Sequence, residues 1–432
     1  MVSPSADDPH KQLSSYSAVS TSLFSLRSLH GYRLVLLAAF LATILKAAWA
    51  LTSSGSSDAM LFFLYGKEFS HSTLAHMYGK GPIFNHTPLT AYLMAGLYNL
   101  SQGDYFTFAS VLRFLSIFAD LGLIALLVSL RNRTGQPAWW ALVLFAASPV
   151  SLMISGFHGN IDPLLVLALF GAAYALVLKK PLLAGALFAL SANIKIVPLL
   201  LGPVFFFYLL KQGARPLLTF CAAAAVVMTL GAIQPLLQCP ALYLKNVYGY
   251  GSYFGTWGFT YWLHQLGGPA YRAVSFMGLS AEQLRAMSIL KAAMILGVVS
   301  FAWRRRGVQG PEFLTTLTAA FACIFIFAPG VGAQYLVWFA PFLLWSSPRW
   351  FAVITACCTA YMISFYHPSS KFSFPWELAL PRGPEIVYWG PWMNLPWLAF
   401  ITLLIVNAPA WWQANPVALA VEPVDEANLA RA

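Results

Sequence analysis

Charge is what this sequence has least of. Only 9% of its 432 residues are Asp, Glu, Lys or Arg, against about 25% in a soluble domain. With 59% hydrophobic residues and a mean hydropathy of +0.68, the chain cannot cover itself with polar surface in water. It reads as a polytopic membrane protein. Cysteine is scarce too. Cys221, Cys323, Cys357 and Cys358 fall in apolar stretches and only Cys239 in an outer loop, so there is no disulfide framework. No Walker loop, HExxH, CxxC or Gly-x-Ser-x-Gly elbow occurs, and there is no fixed-period repeat. That removes the usual signatures of P-loop, zincin, dithiol and serine-hydrolase chemistry. The stretch 34–51 lacks a convincing cleavage site and reads as a signal anchor.

What is present is apolar segments punctuated by basic residues. The net charge of +11 fits Lys and Arg on cytoplasmic loops. A tail over 1–33 carries Arg27 and Arg33 and is expected to be disordered and inside, which places Asp58 outside. The apolar run 88–100 is about 20 Å of helix, too short for a ~30 Å core. Read as interfacial or re-entrant, it puts Arg131, Arg133, Lys179, Lys180 and Arg304-Arg305-Arg306 all inside. The expected fold class is therefore all-α: a transmembrane bundle of about twelve spans in one domain, 34–409, with a helix in the first outer loop. The spans are 34–51, 106–130, 138–155, 163–178, 182–192, 197–210, 217–237, 287–303, 313–328, 335–344, 350–365 and 392–406. Outer loops run over 52–105, 238–284 and 367–391, and a cytoplasmic tail over 410–432. The two short segments flanking Asn193 and Lys195 have the pattern of broken helices lining a cavity.

Charge alone fixes the sides, yet Asp58, His86, His158, Asn160, Asp162, Asn193, Gln334 and His367 all fall on the outer one. Polar residues beside spans are costly and tend to face a cavity. Each also has a plainer reading. Asp58 suits a helix N-cap as well as a base. The run 158–163 suits a turn, with Asp162 capping and Pro163 opening a helix. Lys195 can snorkel, and Gln334 beside Tyr335 and Trp338 can be structural glue. Arg113 and Asp120, seven apart on one helix face, can pair with each other, or Arg113 can reach a phosphate. The aromatics from Tyr243 to Trp262 suit an interfacial belt or a sugar platform.

In order along the chain stand Asp58; Tyr78 with Asn85-His86-Thr87-Pro88-Leu89-Thr90-Ala91-Tyr92; Arg113 to Asp120; Phe157-His158-Gly159-Asn160-x-Asp162; Asn193-x-Lys195-x-x-Pro198; and Pro329-Gly330-x-Gly332-x-Gln334-Tyr335-x-x-Trp338. In these the chain resembles the C-type superfamily of polytopic glycosyltransferases, on its polyprenyl-phosphate-sugar-dependent, mannosyl- and glucosyltransferase-like side. Many relatives carry Asp-x-Asp at the first loop, whereas here Ser56 stands two before Asp58. With one carboxylate, no metal or other cofactor is assigned, and a divalent ion stays open.

The resemblance implies single-displacement inversion, with Asp58 as general base. The partners it implies are a polyprenyl-phosphate hexose donor, with mannose favoured, a hydroxyl acceptor on a glycan, lipid or other molecule, and the bilayer. Donor and substrate contacts fall to His86, Arg113, His158, Asn160, Asp162, Lys195, Gln334 and Tyr335. The expected setting is a bacterial inner membrane, or the endoplasmic reticulum, in cell-envelope glycan synthesis. The competing class is a transporter or flippase of a lipid-linked or anionic solute, since broken helices and an outer polar cavity are transporter features as well.

Overall fold

The structure is a computed structural model. It describes residues 9–80, 84–249, 252–273, 278–380 and 391–413. The ends of both expected tails, and 381–390 of the third outer loop, lie outside the described residues. Among those described there is no strand, only one isolated bridge between Ser56 and Ala379. The expected all-α class holds.

Among the described residues eight helices are long and apolar enough to cross a membrane. Three shorter apolar ones, Asp162–Val177, Pro181–Ile194 and Val197–Gln212, stand beside them. The expected segment 335–344 is not one helix. Residues Ala333–Val337 form a tight 3-10 turn and Ala340–Ser346 a short helix, because Pro341 has no N–H to continue a ladder. Helix α1, Pro9–Thr52, begins within the stretch expected as a tail and runs on through the first candidate span.

Four helices set the site. α2 (Ser57–Ser70), α3 (Leu74–Gly79) and α4 (Pro88–Leu100) make up the first loop region, and α5 is Tyr105–Thr134. α2 starts at Ser57 because Ser56 caps it, its Oγ accepting from Asp58 N at 3.2 Å. The stretch leading into α2 is stitched to four partners. Tyr105 Oη donates to Ser54 O at 2.5 Å. Ala379 N donates to Gly55 O at 3.0 Å, and Ser57 N to Ala379 O at 2.9 Å. Ser56 Oγ donates to His158 O at 2.7 Å, and Arg113 binds Ser53 from α5.

His158 ends a π-helix, Leu152–His158. The chain then turns at Gly159, whose φ of +76° is left-handed and whose added Cβ would lie 2.8 Å from Ala59 Cβ. Glycine meets both demands there. The apolar faces of α5, Asp162–Val177, Phe313–Phe327 and Ala340–Ser346 form the buried core beneath.

A carboxylate held from one side: the candidate active site

Asp58 stands in the first turn of α2, yet its side chain does not serve as the cap. Asn160 Nδ2 donates to its Oδ2 at 2.6 Å, and His158 Nε2 lies 3.0 Å from the same oxygen. Oδ1 accepts no hydrogen bond among the described residues, and the side chain is 29% exposed. The partners are themselves fixed. Asn160 Oδ1 accepts from Ile161 N at 2.6 Å, and Ser116 Oγ donates to Asn160 O at 2.6 Å. His158 Nδ1 lies 2.7 Å from the Tyr366 hydroxyl. An ionised carboxylate only accepts, so Nε2 carries a proton. Burial pushes the Asp58 carboxyl up. The charge and hydrogen bond of His158, the charge of Lys195 and the Asn160 bond outweigh that and hold it at about 2.

A second group faces this one. Asp162, fully buried, accepts from Trp338 Nε1 at 2.6 Å and pairs with Lys195 Nζ at 3.2 and 3.3 Å. Lys195 stands at the break between Pro181–Ile194 and Val197–Leu201. Its Nζ lies 4.5 Å from the Tyr335 ring centroid and 5.6 Å from that of Trp338, and those two rings stack at 4.1 Å. The cation is thus held over aromatic faces and acts electrostatically on Asp58 and His86.

His86 is buried against Phe62, Tyr65 and Phe84, with ring centroids at 5.4, 6.1 and 5.9 Å. Burial first, then Lys195, lower its pKa to about 3 against the pull of Asp58. It is a neutral ring, so it offers a hydrogen-bonding edge and no charge, and its Nδ1 is buried without a partner among the described residues.

Arg113 departs from both sequence readings. It is fully buried, and its guanidinium is spent on Ser53 Oγ at 2.6 Å, Ser53 O at 3.0 Å, Trp49 O at 3.5 Å and Ala109 O at 2.8 Å. It ties α5 to the end of α1, which places it as a brace and not as a phosphate ligand. Asp120 pairs with Lys46 instead, at 2.6 Å. Gln334 folds back over Gly332, where an added Cβ would lie 2.5 Å from its Oε1. Asn193 turns to the 214–238 helix, donating to Val227 O at 3.0 Å. His367 is exposed and meets Phe372 edge-on, with ring centroids at 5.2 Å, away from the group. In the aromatic loop Tyr243, Phe254, Trp257 and Tyr261 are buried in protein, whereas Tyr248 and Tyr253 are 44% and 41% exposed.

Sequence reasoning missed two residues. Tyr366 sits in a long apolar helix with nothing local to mark it, and Lys46 was passed over inside the first span. A lysine in an apolar run was a usable signal. For metals, among the described residues no three of His, Cys, Asp and Glu converge on one point.

A family model described as glycosyltransferase family 87 matches residues 84–329. His86, Arg113, His158, Asn160, Asp162 and Lys195 lie inside the match; Asp58, Gln334, Tyr335, Trp338 and Tyr366 lie outside it. A comparison with curated proteins finds no match.

Proposed function

The chain belongs to glycosyltransferase family 87, a family of C-type polytopic membrane glycosyltransferases, and on that premise we propose that Asp58 is its general base, acting on a lipid-linked donor. The sugar is a hexose, mannose favoured, carried on a polyprenyl phosphate. The acceptor is a hydroxyl on the extracytoplasmic face, in a bacterial inner membrane. The transporter reading gives way, because the family is one of transferases.

One observation carries the assignment of the base. Both protein bonds to Asp58 fall on Oδ2, and Oδ1 is left to a substrate. The acceptor oxygen attacks the anomeric carbon while its proton passes to Oδ1. The bond from that carbon to the phosphate oxygen breaks, and the electron pair leaves with the lipid phosphate. A base with a pKa of about 2 is unprotonated before attack. The hydroxyl proton moves as the new bond forms and the oxygen becomes acidic. The leaving phosphate needs positive charge and not a proton. Lys195 supplies it: two long contacts to Asp162 leave donor capacity on its ammonium. His86 adds a neutral ring edge on the same side.

A groove supports a lipid-linked donor. It has a volume of about 520 Å³ and is lined by Leu93, Leu126, Leu164, Ala168, Gly171 and Leu187 among others. It opens beside the site, at Thr90, Ile161 and Ile194, and follows Asp162–Val177 as far as Leu178. That helix has 16 residues, about 24 Å, against roughly 15 Å for one leaflet of the core. Such a groove suits a tail longer than one leaflet.

The test is transfer from synthetic polyprenyl-phosphate hexoses in detergent by wild type and Asp58→Asn. Wild type should release lipid phosphate, and the variant should fold, bind donor and lose about 10²–10⁴-fold in kcat, the range for a positioned base. An Asp58→Asn enzyme as fast as wild type would sink the assignment.

A further inference from the structure

This inference rests on Asp58 being the base. A second polar knot lies deeper in the bundle, and the mechanism above uses none of it. Lys46 stands within the candidate span Leu29–Thr52, its side chain only 4% exposed. Its Nζ donates to Asp120 Oδ2 at 2.6 Å and to Ser151 Oγ at 2.7 Å. Ser151 Oγ donates to the same Asp120 oxygen at 2.7 Å. A buried ion pair is a poor source of stability, since an apolar pair of like volume is often as stable or more so. Ionisable residues inside spans more often mark function.

Three contacts show what this knot acts on. Ser151 immediately precedes the π-helix Leu152–His158. Within that helix, Gly156 packs on the Lys46 backbone, where an added Cβ would lie 2.9 Å from Lys46 Cα. At its far end, His158 O is held by Ser56 Oγ at 2.7 Å. The π-helix is therefore joined to the α1–α2 side of the protein at its base, its middle and its tip. Asp58 is on one side of that seam, and His158 and Asn160 are on the other. A π-turn holds one residue more than an α-turn. Relaxation to α register would turn His158 by roughly 100° about the helix axis and take it off Asp58.

We propose that the Lys46–Asp120–Ser151 knot is a positioning device for transfer: it fixes the π register of residues 152–158 and so holds His158 and Asn160 on Asp58. The three are positioning residues, since none of them touches Asp58.

The full chain is tested in nanodiscs. The apolar pair Lys46→Met/Asp120→Leu should keep or raise Tm yet lose about 10- to 100-fold in kcat with donor KM little changed, the scale that an ångström of misplacement carries. Wild-type kcat in a folded apolar pair would overturn the proposal. Should that pair fail to fold, Ser151→Ala decides, because it keeps the ion pair and removes only the link to the π-helix. Ser151→Ala should lower kcat and Ser151→Thr should restore it; an unchanged Ser151→Ala kcat overturns the proposal. A third readout needs no turnover. In ¹⁵N-histidine spectra, with His158 assigned through His158→Gln, Ser151→Ala should move the His158 ring signals and leave those of exposed His76 and His367 in place. Unmoved His158 signals overturn the proposal. A wild type inert toward every donor would defeat the transferase mechanism alone, and these spectra would still decide on the knot.

Discussion

Asp58 and His86 are titratable groups that the protein leaves in different charge states, one ionised and one neutral, through burial and through partners far away in sequence. Asp58 keeps its charge because His158, Lys195 and Asn160 outweigh burial; His86 loses its charge because burial and Lys195 act together. The Asp58 carboxyl drops from 3.8 to about 2 on folding. Its contribution to stability is fully present above pH 3.8 and is lost as pH falls through about 2. In melts of wild type and Asp58→Asn, the part of the wild-type advantage due to ionisation, about 2 kcal/mol, should shrink between pH 4 and 2 and stay flat above. The rate should likewise show no acid limb from Asp58 between pH 4 and 7. A rate that rises through a midpoint between pH 4 and 7 would overturn the ionised-base assignment. Residue types at Asp58, His158, Asn160 and Lys195 were legible as candidates, because polar groups beside apolar spans stand out. Their pairing was not. Arg113 stood out for the same reason and proved to be a brace, since sequence gives the charge and not what lies within reach of it.

At the scale of elements, the site is made where regular helix fails. The π-helix 152–158 delivers His158, the break after Ile194 delivers Lys195, and the 3-10 turn Ala333–Val337 delivers Tyr335. Breaks free backbone groups and let side chains leave the helix surface, which is tolerated at membrane depth only where protein or a cavity surrounds them. The break near Lys195 was legible, because a polar turn separates two short apolar runs and Pro198 follows. The π register was not, because an extra residue in a turn leaves no mark in an apolar sequence. Gly159→Ala tests how tightly the end of this element is held. It places a Cβ at a φ of +76° and 2.8 Å from Ala59 Cβ, so it should cost about 1–3 kcal/mol and lower kcat more than donor affinity. A melting temperature and kcat equal to wild type would show that the turn is not constrained.

Across the whole molecule, the polar group and the apolar groove share one set of helices, so the proposed chemistry and the proposed lipid binding would be built on the same frame. Gly171 lines the groove midway along Asp162–Val177, and its added Cβ would meet Leu187 Cδ1 at 3.3 Å. Gly171→Leu should raise KM roughly ten-fold, about 1.4 kcal/mol, for long-tailed donors and leave short-tailed ones unchanged; equal KM shifts for both would remove the groove from donor binding. The sequence by itself determined the solvent and the class. With so few charges and so many apolar runs, the chain has to be a helical membrane bundle, because backbone groups in lipid must be satisfied within their own segment. It also marked the first loop and Asp58 within it. Only the tertiary structure decided which groups meet. Asp58 and His158 are 100 residues apart, and Tyr366 and His158 are 208 apart. It also separated the short apolar segments from the long helices, and joined Lys46 to Asp120 and not Arg113 to it. The reason is physical: hydrophobicity acts without direction and can be read one segment at a time. Hydrogen bonds and ion pairs depend on distance and angle, which exist only once the helices are packed.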